Sequence, residues 1–263
     1  MQVAVLGSEE EIGAVAAQRV ARVLRRKPNA VIGLATGSSP LPLYQELIRL
    51  QQAGEISFAE AKAFCLDEYV GLPADHPEGY RNFIEREFTG QVDFAPGTVH
   101  APNGQAADSV AAAKEYDEAI KAAGGVDIQI LGIGSDGHIG FNEPGGSLTS
   151  RTHLGFLTEQ TRVDNSRFFD GDINQVPTAC ITQGLGTIMD ARELIMVVTG
   201  AGKADAVREL VEGPVSAHWP ATIMQFHNEA IVLLDEAAAS KLEGREHLQA
   251  TWEGYLRTEW ADR

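Results

Sequence analysis

Cysteine, basic residues and long apolar runs are all scarce in this chain of 263 residues. Cys65 and Cys180 are too few and too far apart for a disulfide framework or a cysteine-rich metal site. The N-terminus turns acidic after a handful of apolar residues, which argues against a secretion signal. No apolar run approaches the ~20 residues that span a bilayer. We therefore expect a cytoplasmic protein in a reducing compartment.

The charge balance narrows the range of partners. The chain has 21 Lys and Arg against 37 Asp and Glu, which gives a formal net charge of −16. Nucleic acids and anionic membrane surfaces need clustered positive charge, so we expect neither as a partner. An anionic small molecule would depend on a few well-placed basic groups. The composition is otherwise globular, with no repeat or linker-like shift, and we predict a single domain over residues 1–263.

Short apolar runs alternate with amphipathic segments along the chain. Ser8 and Glu11 have the spacing of a capping box at the start of the first predicted helix, and a last amphipathic helix is predicted at 248–260. Strands that alternate with helices predict an α/β fold with a doubly wound, largely parallel sheet. The predicted strands are 2–6, 30–34, 61–66, 126–131, 151–157, 179–182, 194–199 and 231–234.

The segment 131–150, LGIGSDGHIGFNEPGGSLTS, is the most distinctive in the chain, and we call it the reactive loop. It carries Asp136, His138 and Glu143 among many glycines, directly after a predicted strand. Glycine loses more backbone freedom on folding than any other residue, so this density indicates positive φ angles or close approach to a ligand. Loops at the carboxyl ends of strands form the sites of open α/β sheets.

Two kinds of chemistry suit Asp136, His138 and Glu143. All three side chains are metal ligands, but one imidazole and two carboxylates suit iron or manganese only loosely, and no second ligand-rich motif accompanies them. An imidazole titrates near neutrality, and flanking carboxylates hold its tautomer and raise its basicity. We favour acid–base catalysis without a metal or cofactor, and the metal cluster is the alternative.

Further candidate groups lie at other strand ends. Asp67 and Glu68 directly follow the predicted strand 61–66; adjacent carboxylates are surface charge in most proteins, but the carboxyl edge of a sheet favours a functional role. Between a strand and a helix lie Thr36, Gly37, Ser38 and Ser39, where backbone N–H groups and hydroxyls can bind an anion, although an ordinary turn is an equal interpretation.

Two cations complete the candidate anion site. Lys203 lies at another junction between a strand and a helix, and Arg167 follows the reactive loop in sequence. Taken alone, a lysine at this position is more often a solvated lysine at a helix start. Together with a carboxylate and an imidazole, these anion-binding groups predict aldose–ketose chemistry on a phosphorylated sugar.

Six segments carry a family resemblance: GLATGSSPLPLY, LDEYVGLPADHPEGY, LGIGSDGHIGFNEPGGSLTSRT, TRVDNSRFFDGDINQVPTACIT, MVVTGAGKADAV and GPVSAHWPAT. With these segments in the same order, the chain resembles the glucosamine-6-phosphate deaminases over essentially its whole length. The resemblance implies conversion of glucosamine 6-phosphate and water to fructose 6-phosphate and ammonia, without a required cofactor. It also implies a single domain with a modified Rossmann-like sheet in three α/β/α layers.

Roles follow for the matching positions. The resemblance implies that Asp67 moves a proton from C2 to C1 through an enolamine. His138 would help to open the sugar ring, with Asp136 and Glu143 orienting it. A lid segment is implied at about 71–90. The implied substrate-binding residues are Thr36, Gly37, Ser38, Ser39, Glu68, Tyr80, Gly132, Gly134, Arg167 and Lys203.

The chain departs from the family at two places. The first phosphate turn usually reads Gly-Gly-Thr or Gly-Gly-Ser, whereas Gly37 is followed here by two serines. Allosteric hexameric members, activated by N-acetylglucosamine 6-phosphate, have an arginine and a lysine where this chain has His153 and Gly155. We therefore expect little or no such activation. The oligomeric state stays open, because related enzymes include both monomers and hexamers.

Three rival functions remain at this point. A galactosamine-6-phosphate deaminase would act on a substrate that differs at one hydroxyl. A 6-phosphogluconolactonase has a similar Gly-Asp-Gly-His loop, but it continues with Ala-Ser-Leu-Phe-Pro where residues 139–144 here read IGFNEP. A sugar-phosphate sensor that binds without turnover usually carries a helix-turn-helix, and this chain starts with its first strand.

Overall fold

A seven-stranded parallel sheet forms the centre of the fold. The computed structural model describes residues 1–257. Its strands are β1 Gln2–Leu6, β2 Val31–Leu34, β3 Lys62–Cys65, β4 Asp67–Tyr69, β5 Val99–His100, β6 Ile128–Leu131, β7 His153–Phe156, β8 Ala179–Thr182, β9 Glu193–Val198 and β10 Ala230–Asp235. The order in the main sheet is β1-β10-β9-β6-β2-β3-β5, and every neighbouring pair is parallel. The largely parallel sheet predicted from the alternation of strands and helices is confirmed.

Helices flank this sheet. They are α1 Glu9–Arg26, α2 Leu41–Gln52, α3 Tyr80–Glu87, α4 Ser109–Ala122, α5 Glu159–Asn165, α6 Leu185–Met189, α7 Ala204–Glu212 and α8 Arg245–Tyr255. The predicted cap of α1 is confirmed, because the Glu11 N–H donates to Ser8 Oγ at 3.2 Å. The Glu11 carboxylate reaches one residue further back than a standard capping box and accepts from the Gly7 N–H at 2.8 Å.

The strand order reverses between β2 and β6. From β2 the chain adds β3 and β5 on one side, and it then returns to add β6, β9 and β10 on the other side. In open α/β sheets, ligands bind in the crevice outside the carboxyl ends of the strands at such a reversal. The segment 36–39 follows β2 and the reactive loop follows β6, so the topology brings both predicted loops to this crevice.

A second, three-stranded sheet has the order β4-β8-β7 and is antiparallel. The predicted strands 151–157 and 179–182 exist here as β7 and β8. The strand 179–182 was expected to continue the strand–helix–strand alternation with 194–199, and that placement was wrong, because β8 lies outside the parallel sheet. The segment between β7 and β8 contains α5 and returns the chain beside β7, which gives an antiparallel pair. Strands of four residues carry no pattern that indicates their direction.

One residue, Leu66, joins the two sheets. Its N–H donates to the carbonyl of Leu34 in β2 at 2.8 Å, and its carbonyl accepts from the Gln183 N–H at 2.9 Å. Asp67 then begins β4 and pairs with Thr182 of β8. Hydrogen bonds to both sheets therefore hold the main chain at Leu66, directly before Asp67.

The remaining differences from the sequence expectations are local. Strand β5 and a 3-10 helix at Pro220–Phe226 were not predicted. The helix expected at 248–260 is present as α8, and the last residues of that prediction lie outside the described part of the chain. Across residues 1–257, no helix has both the length and the apolar character that crossing a membrane requires.

Candidate active site

A cleft opens at the carboxyl ends of β2, β3, β6 and β9. It is lined by Ala35, Thr36, Gly37, Ser38, Ser39, Pro40, Leu66, Asp67, Glu78, Tyr80, Phe83, Gly132, Ile133, Gly134, His138, Gly140, Phe141, Asn165, Arg167, Phe168 and Lys203. The cleft thus combines the segment 36–39, part of the reactive loop, the predicted lid segment and the turn after β9. The crevice at the strand-order reversal is the place where these parts meet.

Asp67 is a buried acid in the wall of this cleft. The residue is only 4% exposed, and among residues 1–257 no group donates a hydrogen bond to its carboxyl. Burial, and then the neighbouring Glu68 carboxylate, raise the pKa of Asp67 to about 8, against a smaller opposing effect of His138. A carboxyl group with a pKa near neutrality can both accept and return a proton.

His138 lies against two carboxylates. Its Nδ1 is 2.7 Å from Asp136 Oδ1 and 3.5 Å from Glu143 Oε2. Burial alone would lower the pKa of His138, but the two carboxylates outweigh it and raise that pKa to about 9. Burial works against the Asp136 carboxylate too, and contact with His138 still holds its pKa far below the usual range. The imidazolium is therefore the favoured form near neutral pH.

Glu143 connects the reactive loop to the start of α5. Its Oε1 accepts from the Thr161 hydroxyl at 2.7 Å and from the Thr158 N–H at 3.2 Å. The segment that begins there carries Asn165 and Arg167 into the cleft. The same carboxylate thus lies beside the His138 ring and holds the start of the segment that supplies Arg167.

Two glycines leave space that the reactive loop needs. A β-carbon at Gly134 would lie 2.3 to 2.6 Å from atoms of the His138 ring, so a larger residue would displace the imidazole. Gly137 has φ +85°, and a β-carbon there would lie 2.7 Å from the Trp219 ring. The Gly137 carbonyl also accepts from the Ala221 N–H at 2.8 Å. The segment 213–222 therefore supports the turn between Asp136 and His138.

Another part of the cleft contains main-chain N–H donors without a protein acceptor and two cations without an ion-pair partner among residues 1–257. Gly37 has φ +101°, and across residues 1–257 the N–H groups of Gly37, Ser38 and Ser39 have no protein acceptor. Arg167 and Lys203 form no ion pair within 4 Å in the same range of the chain, although both line the cleft. Burial lowers the pKa of Lys203, and the nearby Arg167 adds to that effect while Asp164 opposes it. These groups suit a phosphate ion, which would pair with both cations and with the main-chain donors.

A metal ion is the alternative ligand for the reactive loop. The possible ligand atoms of Asp136, His138 and Glu143 all lie within 4.8 Å of one another, and no other such group of three occurs among residues 1–257. His138 Nδ1 is 2.7 Å from Asp136 Oδ1, the distance of an ion pair, although the angles between the two groups are not those of a hydrogen bond. Acid–base chemistry therefore stays the prediction, with the metal cluster as its alternative.

Most of the candidate residues meet in this cleft. Asp67 and His138, the central pair of the sequence prediction, line the same cavity, together with Tyr80 and the two loop glycines Gly132 and Gly134. Asp136 and Glu143 contact His138 without lining the cavity themselves. Glu68 lines a separate cavity next to the lid segment, where its carboxylate accepts main-chain hydrogen bonds.

Sequence analysis missed several residues of the cleft. Asn165 lines it and donates to the Tyr69 hydroxyl at 2.9 Å. Phe168 lines it and lies beneath the Arg167 guanidinium, which is 4.7 Å from the ring centre. Phe141 lies inside the reactive loop, between His138 and Glu143. None of the three missed residues has a local pattern that marks it, and the positions of Asn165 and Phe168 depend on the path of the segment 158–169 across the cleft.

Comparison with known proteins extends these observations. A family described as glucosamine-6-phosphate isomerases/6-phosphogluconolactonase matches residues 8–233. A glucosamine-6-phosphate deaminase of Mycolicibacterium smegmatis is 58% identical over 252 residues, which cover 96% of this chain and 97% of that one. A solved monomeric glucosamine-6-phosphate deaminase has a TM-score of 0.89 at 42% identity, over 91% of this chain and 99% of that chain. The 6-phosphogluconolactonase of Trypanosoma cruzi has a TM-score of 0.73 at 21% identity, over 92% and 97% of the two chains, which is a likeness of fold alone.

Proposed function

The chain belongs to the family of glucosamine-6-phosphate isomerases and 6-phosphogluconolactonases, and from that premise we propose that it is a glucosamine-6-phosphate deaminase. The enzyme converts glucosamine 6-phosphate and water to fructose 6-phosphate and ammonia. The observation that carries the proposal is a buried, unpaired Asp67 in one cleft with the His138 cluster and an unpaired set of phosphate donors. The relatives with this name are 50 to 58% identical to the chain over nearly its whole length.

Binding begins at the phosphate. We assign the substrate phosphate to the N–H groups of Gly37, Ser38 and Ser39 and to the cations Arg167 and Lys203. Charge-assisted hydrogen bonds of this kind are about twice as strong as neutral ones. The net charge of −16 would repel a phosphate monoester, so the local cations must supply the attraction. The remaining sugar would extend from the phosphate toward Asp67 and His138.

Ring opening is the first chemical step. We assign it to His138, whose imidazolium gives a proton to the ring oxygen as the bond from C1 to that oxygen breaks, and whose neutral imidazole then takes the proton that the C1 hydroxyl loses as the aldehyde forms. Asp136 and Glu143 hold the ring of His138 in position and favour its charged form. The step exchanges one proton for another, so the net charge of the site is unchanged once the open chain has formed.

Asp67 performs the isomerisation in this proposal. Its carboxylate takes the proton from C2 of the open amino aldehyde while the C2 ammonium passes a proton to the C1 oxygen, which gives an enolamine, and Asp67 then returns its proton to C1. The product is an imine at C2, which adds one water and loses ammonia to leave the ketone. The ammonium group on C2 of the bound substrate lies next to the proton to be removed, and a nearby positive charge lowers the pKa of Asp67 toward its ionised form.

Ammonia release tests the proposed function directly. Glucosamine 6-phosphate should release ammonia and form fructose 6-phosphate in equal amounts, and a chelator should not change the rate. Galactosamine 6-phosphate and 6-phosphogluconolactone, supplied in parallel, test the two enzymatic rivals. Asp67→Asn should bind the sugar phosphate with little change and release no ammonia. A variant that kept near-normal turnover would contradict the role given to Asp67.

The proposal also includes the cellular compartment, the small-molecule partner and the regulation of the enzyme. Cys65 and Cys180 are both buried as free thiols, which fits the reducing cytoplasm expected from the sequence. The partner is a small-molecule amino sugar phosphate. We also keep the expectation that N-acetylglucosamine 6-phosphate does not activate the enzyme, because His153 and Gly155 in β7 replace both cations of the allosteric members.

A further inference from the structure

Glu68 is the neighbour of Asp67, and it has a different environment. We propose that Glu68 is a positioning residue for the proposed reaction: its carboxylate fixes the first turn of α3, and thereby holds Tyr80 over the cleft beside Asp67. The inference rests on the proposed function, because it concerns how the cleft is closed around the group that moves the proton. It replaces the direct contact with substrate that the sequence suggested for Glu68.

The carboxylate of Glu68 caps a helix that cannot cap itself. Its Oε1 accepts from the N–H groups of Tyr69 and Tyr80, both at 2.9 Å, and its Oε2 accepts from the Arg81 N–H at 2.9 Å. Tyr80 and Arg81 are the first two residues of α3, and the residue before them is Gly79, which has no side chain to serve as a cap. A carboxylate at a helix N-terminus satisfies free N–H groups and interacts favourably with the helix dipole.

The helix turn that Glu68 caps includes Tyr80, which forms part of the wall of the cleft. Tyr80 lines the cleft, and its ring stacks on Phe141 at a centroid distance of 5.8 Å and an interplanar angle of 11°. Its hydroxyl lies 3.3 Å from that of Tyr69, which also accepts a hydrogen bond from Asn165. The position of Tyr80 therefore depends on the main chain of α3, and Glu68 fixes that main chain at the residue itself.

Glu68 also acts on Asp67 through its charge. The two residues occupy consecutive positions of β4, so their side chains point to opposite faces of the strand. Asp67 faces the cleft, and Glu68 faces the second cavity, between α3 and the segment 101–105. The Glu68 carboxylate is one of the causes that raise the pKa of Asp67. Glu68 thus affects both the position of Tyr80 in the cleft wall and the proton affinity of Asp67.

Two variants separate these effects from general loss of structure. In Glu68→Ala, hydrogen exchange of the Tyr80 and Arg81 amides should become at least about tenfold faster, because both lose a charge-assisted acceptor. Its kcat should fall on the order of 10²-fold with a smaller change in KM, because a misplaced wall affects the reacting geometry. In Glu68→Gln, the acidic limb of the kcat/KM profile should move roughly 1 pH unit lower, since a negative charge near Asp67 is gone.

Glu85→Gln is the matched control, because it removes the same charge from an exposed position of α3, where the carboxylate forms no hydrogen bond or ion pair within residues 1–257. It should leave the amide exchange and the pH profile as in the unaltered protein. Unchanged exchange of the Tyr80 and Arg81 amides in Glu68→Ala would overturn the inference, and so would an unshifted limb in Glu68→Gln. The exchange measurement needs no substrate, so it distinguishes failure of this inference from failure of the proposed function.

Discussion

Replacing Asp67 by asparagine should make the protein more stable while it abolishes the proposed turnover. The carboxyl group is buried and accepts no hydrogen bond within residues 1–257, so its ionised form is unfavourable in the folded state. Asparagine has nearly the same size and shape and carries no charge. The variant removes the penalty for a buried charge and leaves the packing of β4 against β8 in place.

The size of the effect follows from the pKa of Asp67. Burial raises that pKa from 3.8 to about 8, and each pKa unit corresponds to about 1.4 kcal/mol. Between these two pH values the unfolded chain has released the proton and the folded protein has kept it. The free energy of unfolding therefore falls as the pH rises through this range, by on the order of 5 kcal/mol in total. Above pH ~8 the folded protein is ionised as well, and the loss is complete.

Thermal unfolding at a series of pH values between 5 and 9 measures this effect. The Tm of Asp67→Asn should exceed that of the unaltered protein by a small amount at pH 5 and by roughly 8 °C or more at pH 9. Most of the increase in this Tm difference should occur below pH ~8. Asp75→Asn, at an exposed position, is the control, and its difference from the unaltered protein should not depend on pH. A difference for Asp67→Asn that is independent of pH, or of opposite sign at pH 9, would refute the reasoning.

Four further outcomes concern activity. In assays of ammonia release, kcat/KM should rise with pH up to about 8, where Asp67 ionises, and fall above about 9, where His138 loses its proton; the absence of the rise would contradict the first assignment, and the absence of the fall would contradict the second. Arg167→Ala and Lys203→Ala should each raise KM for the sugar phosphate about 10- to 100-fold and weaken inhibition by inorganic phosphate, because each removes a charge-assisted contact. Gly134→Ala should lower kcat while the fold is retained by circular dichroism, because the added carbon displaces the imidazole. Initial rates should be unchanged by N-acetylglucosamine 6-phosphate, and a sigmoidal curve that becomes hyperbolic on its addition would count against that expectation.

The position of the site could be predicted from the sequence because parallel strands share an edge. Apolar runs followed by unusual polar residues marked the ends of β2, β3 and β6, and the carboxyl ends of these strands lie together in a parallel sheet. The reactive loop was recognised from its glycines, which leave room for the His138 ring and for Trp219. These features depend on local sequence and on the general geometry of α/β folds.

The rest depended on tertiary contacts that have no local pattern. Strand β4 has three residues and pairs with β8, which lies more than a hundred positions later in the chain, so its hydrogen bonds could not be anticipated. The resemblance implied that Glu68 binds substrate, and its place beside Asp67 at the strand end favoured a functional role. In a strand, however, adjacent side chains face opposite sides, and that rule could be applied only once β4 was known to be a strand.

The single-residue connection at Leu66 bears on which sugars can react. The proposed phosphate donors belong to the loop after β2, whereas Asp67, the proposed acceptor of the C2 proton, begins β4, and main-chain hydrogen bonds connect the two segments. The main-chain distance between the two segments is therefore set by these hydrogen bonds. In the proposed function, this distance would select for the number of carbon atoms between a phosphate and an amine, while discrimination between epimers of equal length would depend on the residues that surround the ring.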